Sequence, residues 1–172
     1  FVLTGQGVAF LHSGDERGRT KPKLSSTTEV TGDYVHNSYD ASDDINQFPW
    51  TVEPEFAASA EWVKGLIAIR KANAAFRLGD AAKVAAAQKQ LAHGDQLSMG
   101  WTVTWEGQTF VLLVNANFDL PQTFETGLGL SGARALVDSD EANPAGVSEP
   151  SGFEIKGTTI TVEPLTAVML KL

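Results

Sequence analysis

Two pairs of adjacent carboxylates, Asp15-Glu16 and Asp43-Asp44, are the side chains of this 172-residue sequence best suited to acid–base work. Glycoside hydrolysis uses two carboxyl groups that flank the scissile bond, about 5 Å or more apart. Sequence neighbours do not face each other across a bond, so one group from each pair would have to meet in space. Other chemistries find less support. There is no cysteine, which excludes disulfides, thiolate catalysis and Cys-ligated zinc. His12-Ser13-Gly14-Asp15 is not the G-x-S-x-G turn of a serine hydrolase, and no H-E-x-x-H occurs. Asp40, Ser42 and Asp44 sit at positions 1, 3 and 5 of a calcium loop. Position 6 is then Ile45 rather than Gly, and position 12 is Thr51 rather than Glu, which rejects an EF-hand. Irregular calcium ligation by these carboxylates stays open; no cofactor is expected within the chain itself.

The segment around the second pair, Tyr34 to Trp50, mixes rings, amides and carboxylates with no helical or strand period. It lies in an irregular stretch, 17–51, longer than the roughly 15 residues at which a loop is usually functional or disordered. Its aromatic residues argue against disorder. The elements on either side must position it. Val8 to Leu11 is a continuous apolar run, as in a strand covered on both faces, and it turns polar at His12 to Glu16. A (β/α)8-barrel strand meets its active-site face that way, although a plain loop after a core strand reads the same. Residues 54–76 follow helical spacing through Phe56, Ala60, Val63, Ile67 and Ala74, widened by Leu66 and Ile69. Pro54 suits the first turn, and Arg70 and Lys71 suit the last. Residues 79–94 read as a second, Ala-rich helix with Asp80 as N-cap and Gly94 as its stop.

Composition changes near Gly94. Leu97, Met99, Trp101, Val103 and Trp105 alternate with Ser98, Gly100, Thr102 and Thr104, a period-two strand. A return strand over 109–117 and short strands over 133–138, 152–157, 159–164 and 166–172 complete an antiparallel β-sandwich. Two domains are expected, 1–94 and 95–172. The net charge of −8 offers no basic stripe for nucleic acid, and no run reaches the roughly 20 apolar residues of a membrane span. The N-terminal segment has neither initiator Met nor the basic flank of a signal peptide, and it reads as the middle of a longer chain.

Gly7-Val8-Ala9-Phe10 and Gly14-Asp15-Glu16, then Arg19-Thr20-Lys21, then Asn37-Ser38-Tyr39, Ser42, Asp44, Ile45, Asn46 and Trp50, resemble the end of the catalytic domain of type I pullulanases, α-1,6-glucan debranching enzymes of the α-amylase superfamily. Ala9 stands where that family usually has Pro. Trp62 to Gly79 resembles the eighth barrel helix, with Asn73-Ala74 where His-Pro is usual. Thr159 to Leu172 resembles the last strand of the superfamily's C-terminal sandwich. The resemblance implies the eighth strand, a substrate loop and the eighth helix of a barrel, followed by the sandwich.

It also implies retaining hydrolysis through a covalent glycosyl-enzyme. The family's nucleophile, acid/base and transition-state-stabilising carboxylates follow earlier strands, so none of them is carried here and this chain alone is expected to be inactive. Its partners would be an α-glucan polysaccharide and the remaining barrel polypeptide, and its place outside a bacterial cell or at the cell surface. The implied cleft residues are Asn37, Tyr39, Asp44 and Asn46: amides and carboxylates bind hydroxyls, and rings pack on sugar faces. Asp44 and Asn46 also suit Asx turns that brace the loop. Trp50 suits packing more than stacking, and Arg19 and Lys21 suit pairing with carboxylates as well as sugar contact. Two other readings remain: a non-enzymatic carbohydrate-binding or structural sandwich, and an α-1,4-acting amylase.

Overall fold

The computed structural model describes residues 1–22, 34–92 and 95–172. The chain divides into two compact units, residues 10–60 and residues 1–9 with 61–172.

The larger unit is built on two antiparallel sheets. Its strands are β1 (Gln88–Gln90), β2 (Ser98–Trp105), β3 (Gln108–Asn115), β4 (Gln122–Glu125), β5 (Arg134–Val137), β6 (Phe153–Lys156), β7 (Thr159–Val162) and β8 (Thr166–Lys171). Five strands form one sheet in the order β1-β2-β3-β8-β5, and three form the other in the order β4-β7-β6. β2 and β3 pair through the two-residue turn Glu106-Gly107. Both turn residues have positive φ (50° and 77°), as a type I′ hairpin turn requires.

The sequence of β3, Phe-Val-Leu-Leu-Val, is apolar on both faces because both faces are covered. Val111 and Leu113 pack with Val168 and Leu170 of β8 against Phe124, Ile160 and Val162 of the three-stranded sheet. Phe110 and Leu112 point the other way, with Trp101, Val103 and Met169, against Ile69, Phe76 and Ala87. Those last three belong to a helical layer. Helix α2 (Ala57–Ala72) follows a 3-10 turn over Pro54–Phe56, a further 3-10 turn spans Ala74–Phe76, and helix α3 spans Ala81–Ala87. Pro54 opens the 3-10 turn that leads into α2, and Arg70 and Lys71 stand in the last turn of α2, as expected. Its terminal carbonyls are capped: Asn73 Nδ2 donates to Ile69 O, and the Arg77 guanidinium donates to the carbonyls of Arg70 and Lys71.

Several expectations are corrected. The period-two alternation of β2 holds, and Ser98, Gly100 and Thr102, opposite its rings, are buried as well. A Cβ on Gly100 would meet Leu113 at 2.9 Å and Phe124 at 3.1 Å, so the close approach of the sheets explains the glycine. The sheet takes Trp62, Leu66 and Ile69 of α2 rather than a stripe led by Val63 and Ile67. α3 begins at the expected cap, where Asp80 Oδ1 accepts from Lys83 N at 2.9 Å, but it ends at Ala87. Residues 88–90 then pair as an edge strand with Val103, Thr102 and Trp101. Ladder hydrogen bonds to β2 outweigh the helix propensity of Gln-Lys-Gln. The expected stop, Gly94, lies outside the described residues. β4 was not expected, since Phe124 is its one apolar residue.

Val8 to Leu11 joins no ladder among the described residues, and Val8 is 97% exposed. A buried parallel strand needs neighbours on both edges, and among the described residues it has none. Arg70 instead donates to the carbonyls of Leu3, Gly5 and Gly7, fixing the segment that precedes it.

Candidate functional site

Tyr34 to Trp50 lies in the smaller unit. Among the described residues of this unit, Val35, Ile45 and Ala60 are its buried apolar residues. Its shape is set mainly by hydrogen bonds. Residues Asp43–Asn46 form the single-turn helix α1, with Ser42 as N-cap and Ile45 turned inward. Lys21 O accepts from Val35 N at 2.9 Å, and Pro22 and Tyr34 form an isolated β-bridge.

Asn46 is the centre of the arrangement. Its Nδ2 donates to Ser38 O at 2.7 Å and to Ala41 O at 2.9 Å, which uses both amide hydrogens. Its Oδ1 accepts from Lys21 Nζ at 2.5 Å, and its backbone carbonyl accepts from the Arg19 guanidinium. Arg19 also donates to Ser13 O at 2.9 Å. Arg17 donates to Glu16 Oε1 at 2.9 Å and to the carbonyls of Pro49 and Trp50. The Phe48 ring lies under both guanidinium groups, 5.1 Å from Arg17 and 5.8 Å from Arg19. Gly18, at φ 69°, leaves room for the Phe56 ring where any side chain would stand.

Arg19 and Lys21 therefore brace the loop through carbonyls and an amide, not through the expected carboxylates. Among the described residues neither forms an ion pair. Desolvation, with the nearby Arg19 charge, lowers the Lys21 pKa. Glu16 is held below the usual carboxylate range, first by its own backbone N–H and then by Arg17 and Gly14 N. His12 Nδ1 lies 3.2 Å from Asp15 Oδ1 at the surface.

The structure gathers the four implied cleft residues on one loop and separates their roles. Asn46 is half-buried and spent on bracing, while Asn37, Tyr39 and Asp44 are exposed. Asn37 Oδ1 accepts from Tyr39 N at 3.1 Å in an Asx turn, which aims the chain at the ring's position. Tyr39 is 93% exposed on this braced turn. Trp50 meets Phe48 edge-on, with centroids 5.0 Å apart, but is 86% exposed, so it is not the packing residue its size suggested. The role of Arg17 was missed in the sequence because its acceptors are backbone carbonyls, which carry no residue signature. Among the described residues, no group of three or more His, Asp or Glu stands close enough to hold a metal ion.

Comparison with known proteins gives the chain's relatives. The family profile described as SpuA C-terminal matches residues 93–172. Pullulanase A of Streptococcus pneumoniae serotype 4 is 29% identical over 215 aligned positions, covering 99% of this chain and 16% of the relative. The catalytic module of the multi-modular glycogen-degrading pneumococcal virulence factor SpuA, solved with an inhibitor, superposes with a TM-score of 0.86 at 30% identity, over 99% of this chain and 30% of that one. The Group B Streptococcus pullulanase SAP, solved with maltotetraose, gives a TM-score of 0.85 at 28% identity, over 99% of this chain and 26% of that one. The chain thus spans less than a third of each of these relatives. Along nearly its whole length it matches the C-terminal portion of type I pullulanases of glycoside hydrolase family 13.

Proposed function

We propose that this chain is the C-terminal part of a debranching glycoside hydrolase that cleaves α-1,6-glucosidic bonds in pullulan, starch or glycogen with retention. Residues 1–94 would be the last strand, substrate loop and last helix of a (β/α)8 barrel, and residues 95–172 the sandwich domain. The start of the SpuA C-terminal match at residue 93 supports that division. So does the unpaired run Val8 to Leu11, whose neighbours would be the remaining barrel strands. The catalytic carboxylates would lie on that remaining polypeptide. This chain would contribute one wall of the cleft and no group at the reacting atoms.

The observation that carries the reading is the braced loop itself. Tyr39 offers an exposed ring to the apolar face of a glucose unit, and Asn37 and Asp44 offer hydroxyl partners beside it. The relative solved with maltotetraose supports an α-glucan as the ligand. Because glucan polymers are met outside the cell, an extracellular or cell-surface place in a bacterium belongs to the same reading.

The test is to complete this chain with the barrel polypeptide and analyse products from pullulan. The expected product is maltotriose, and the chain alone should release none. Products from cleavage of α-1,4 bonds would instead indicate an amylase. Glucan binding that survives Tyr39→Ala and maps beyond residue 95 would favour a sandwich that binds without catalysis.

A further inference from the structure

We propose that Arg19, Lys21 and Asn46 are positioning residues that set how tightly the Asn37–Asp44 loop holds glucan, while touching neither the sugar nor the reacting atoms. The proposal rests on reading that loop as a cleft wall. Three observations lead to it. First, among the described residues the loop unit buries few apolar side chains, Val35, Ile45 and Ala60, and polar contacts hold the turn at Asn37 to Asn46. Second, the two Nδ2 hydrogens of Asn46 close the turn on both sides of Tyr39-Asp40, at Ser38 O and Ala41 O. A displaced Asn46 side chain would release the turn that presents the ring.

Third, Asn46 is itself held from beneath by two cations, Lys21 at its Oδ1 and Arg19 at its backbone carbonyl. Hydrogen bonds from charged donors are stronger than neutral ones. Among the described residues neither cation forms an ion pair; one Arg19 nitrogen and the Lys21 ammonium go to Asn46, while a second Arg19 nitrogen holds Ser13 O. The Lys21–Asn46 contact also fixes which way the amide faces. Lys21 has donors only, so it must meet Oδ1, and that leaves Nδ2 for the two carbonyls. Order at Tyr39 is thus specified from Lys21, eighteen positions earlier in the chain.

Steady-state kinetics on pullulan with the completed enzyme test this. Lys21→Met, of similar length, removes the donor. Asn46→Asp keeps an acceptor for Lys21 but turns a carboxylate toward the Ser38 and Ala41 carbonyls. Each should raise KM by on the order of tenfold and leave kcat within about twofold, the pattern of lost ground-state binding. Lys21→Arg should restore KM to within about threefold. The double variant should be no worse than the worse single one, since both act through one contact.

A fall in melting temperature with KM unchanged in the folded fraction would make the three residues merely structural and overturn the proposal. Equal falls in kcat and kcat/KM, or fully additive effects, would overturn it too. The underlying reading fails separately: either the unaltered enzyme releases no maltotriose, or Tyr39→Ala leaves KM where it was.

Discussion

The two units of this chain are held together by different physics. In the sheet unit, Phe76, Phe110, Phe124 and Ile160 are fully buried, and both faces of the five-stranded sheet are covered by apolar side chains. In the loop unit, guanidinium, ammonium and amide groups fasten the backbone, and Tyr39 and Trp50 are left in solvent. Area-driven burial stabilises without regard to direction. Hydrogen bonds from Arg and Lys give less net stability but fix orientation. A core suits a scaffold, and a directional clasp suits a surface that must present particular groups.

The largest expected effect tests that contrast directly. Phe110 packs against Phe76 with ring centroids 4.9 Å apart, in the middle of the helical side of the sheet. Phe110→Ala should cost about 3–5 kcal/mol, read as a lower urea midpoint of the sheet unit. Ile45→Ala, at an anchor of the loop unit, should leave that midpoint in place and instead speed proteolysis within 34–50. An equal shift of the sheet midpoint by both variants would break the comparison.

The next effect reverses a propensity rule. Gly to Ala inside an exposed helix normally stabilises by about 1 kcal/mol. Gly65 lies in α2 where a Cβ would overlap the Ala142 carbonyl oxygen, and the obstacle is backbone rather than a flexible side chain. Gly65→Ala should therefore destabilise by about 2 kcal/mol, with α2 lifted from the loop that follows β5. Thermal melts of the two proteins give the sign. A stabilised variant would mean that this helix is less firmly seated than the sheet beneath it.

How much was legible in the sequence divides along the same line. Strands of the sheet unit announce themselves because their side chains are selected by burial: β2, β3 and β8 stand where Trp101, Val103, Phe110 to Val114 and Val168 to Leu170 place them. β1 and β4 were missed because their order comes from a neighbour's ladder rather than from their own composition. The burial of the face of β2 that carries Gly100 and Thr102 leaves little trace in the sequence because these residues are small or polar, and at Gly100 the small size is what lets the sheets close. In the loop unit the residue types of Tyr34 to Trp50 named a candidate site and its chemistry. They did not show that Asn46 is spent inward while Asn37 and Asp44 stay exposed. Acceptors that are backbone carbonyls leave no trace in residue identity, so the bracing by Arg17 and Arg19 becomes visible only in three dimensions.

The sheet unit contains directional contacts of its own, and one of them, at Asp138, sharpens the comparison at a smaller scale. Asp138, at the end of β5, is buried, yet its carboxylate accepts from Glu141 N at 2.8 Å, Asp140 N at 3.2 Å, Ser151 N at 2.9 Å and the Ser151 hydroxyl at 3.3 Å. Burial alone pushes its pKa up, but the N–H groups of Glu141, Ser151 and Asp140 together outweigh it and hold the group below the usual carboxylate range. A folded pKa below the unfolded value, about 3.9, means that the unfolded chain binds the proton more readily. Asp138 therefore contributes its stability in full above about pH 4, and loses it as pH falls through the lower folded pKa. Asp138→Asn keeps one acceptor but turns an NH2 group toward donors, and should cost about 1–2 kcal/mol at pH 7. Urea melts from pH 7 down to pH 3 should show the gap between the two proteins narrowing only below about pH 4. A gap that stays constant with pH would assign the loss to altered packing. Asp138 would then belong with the area-driven core rather than with the oriented contacts of the loop unit.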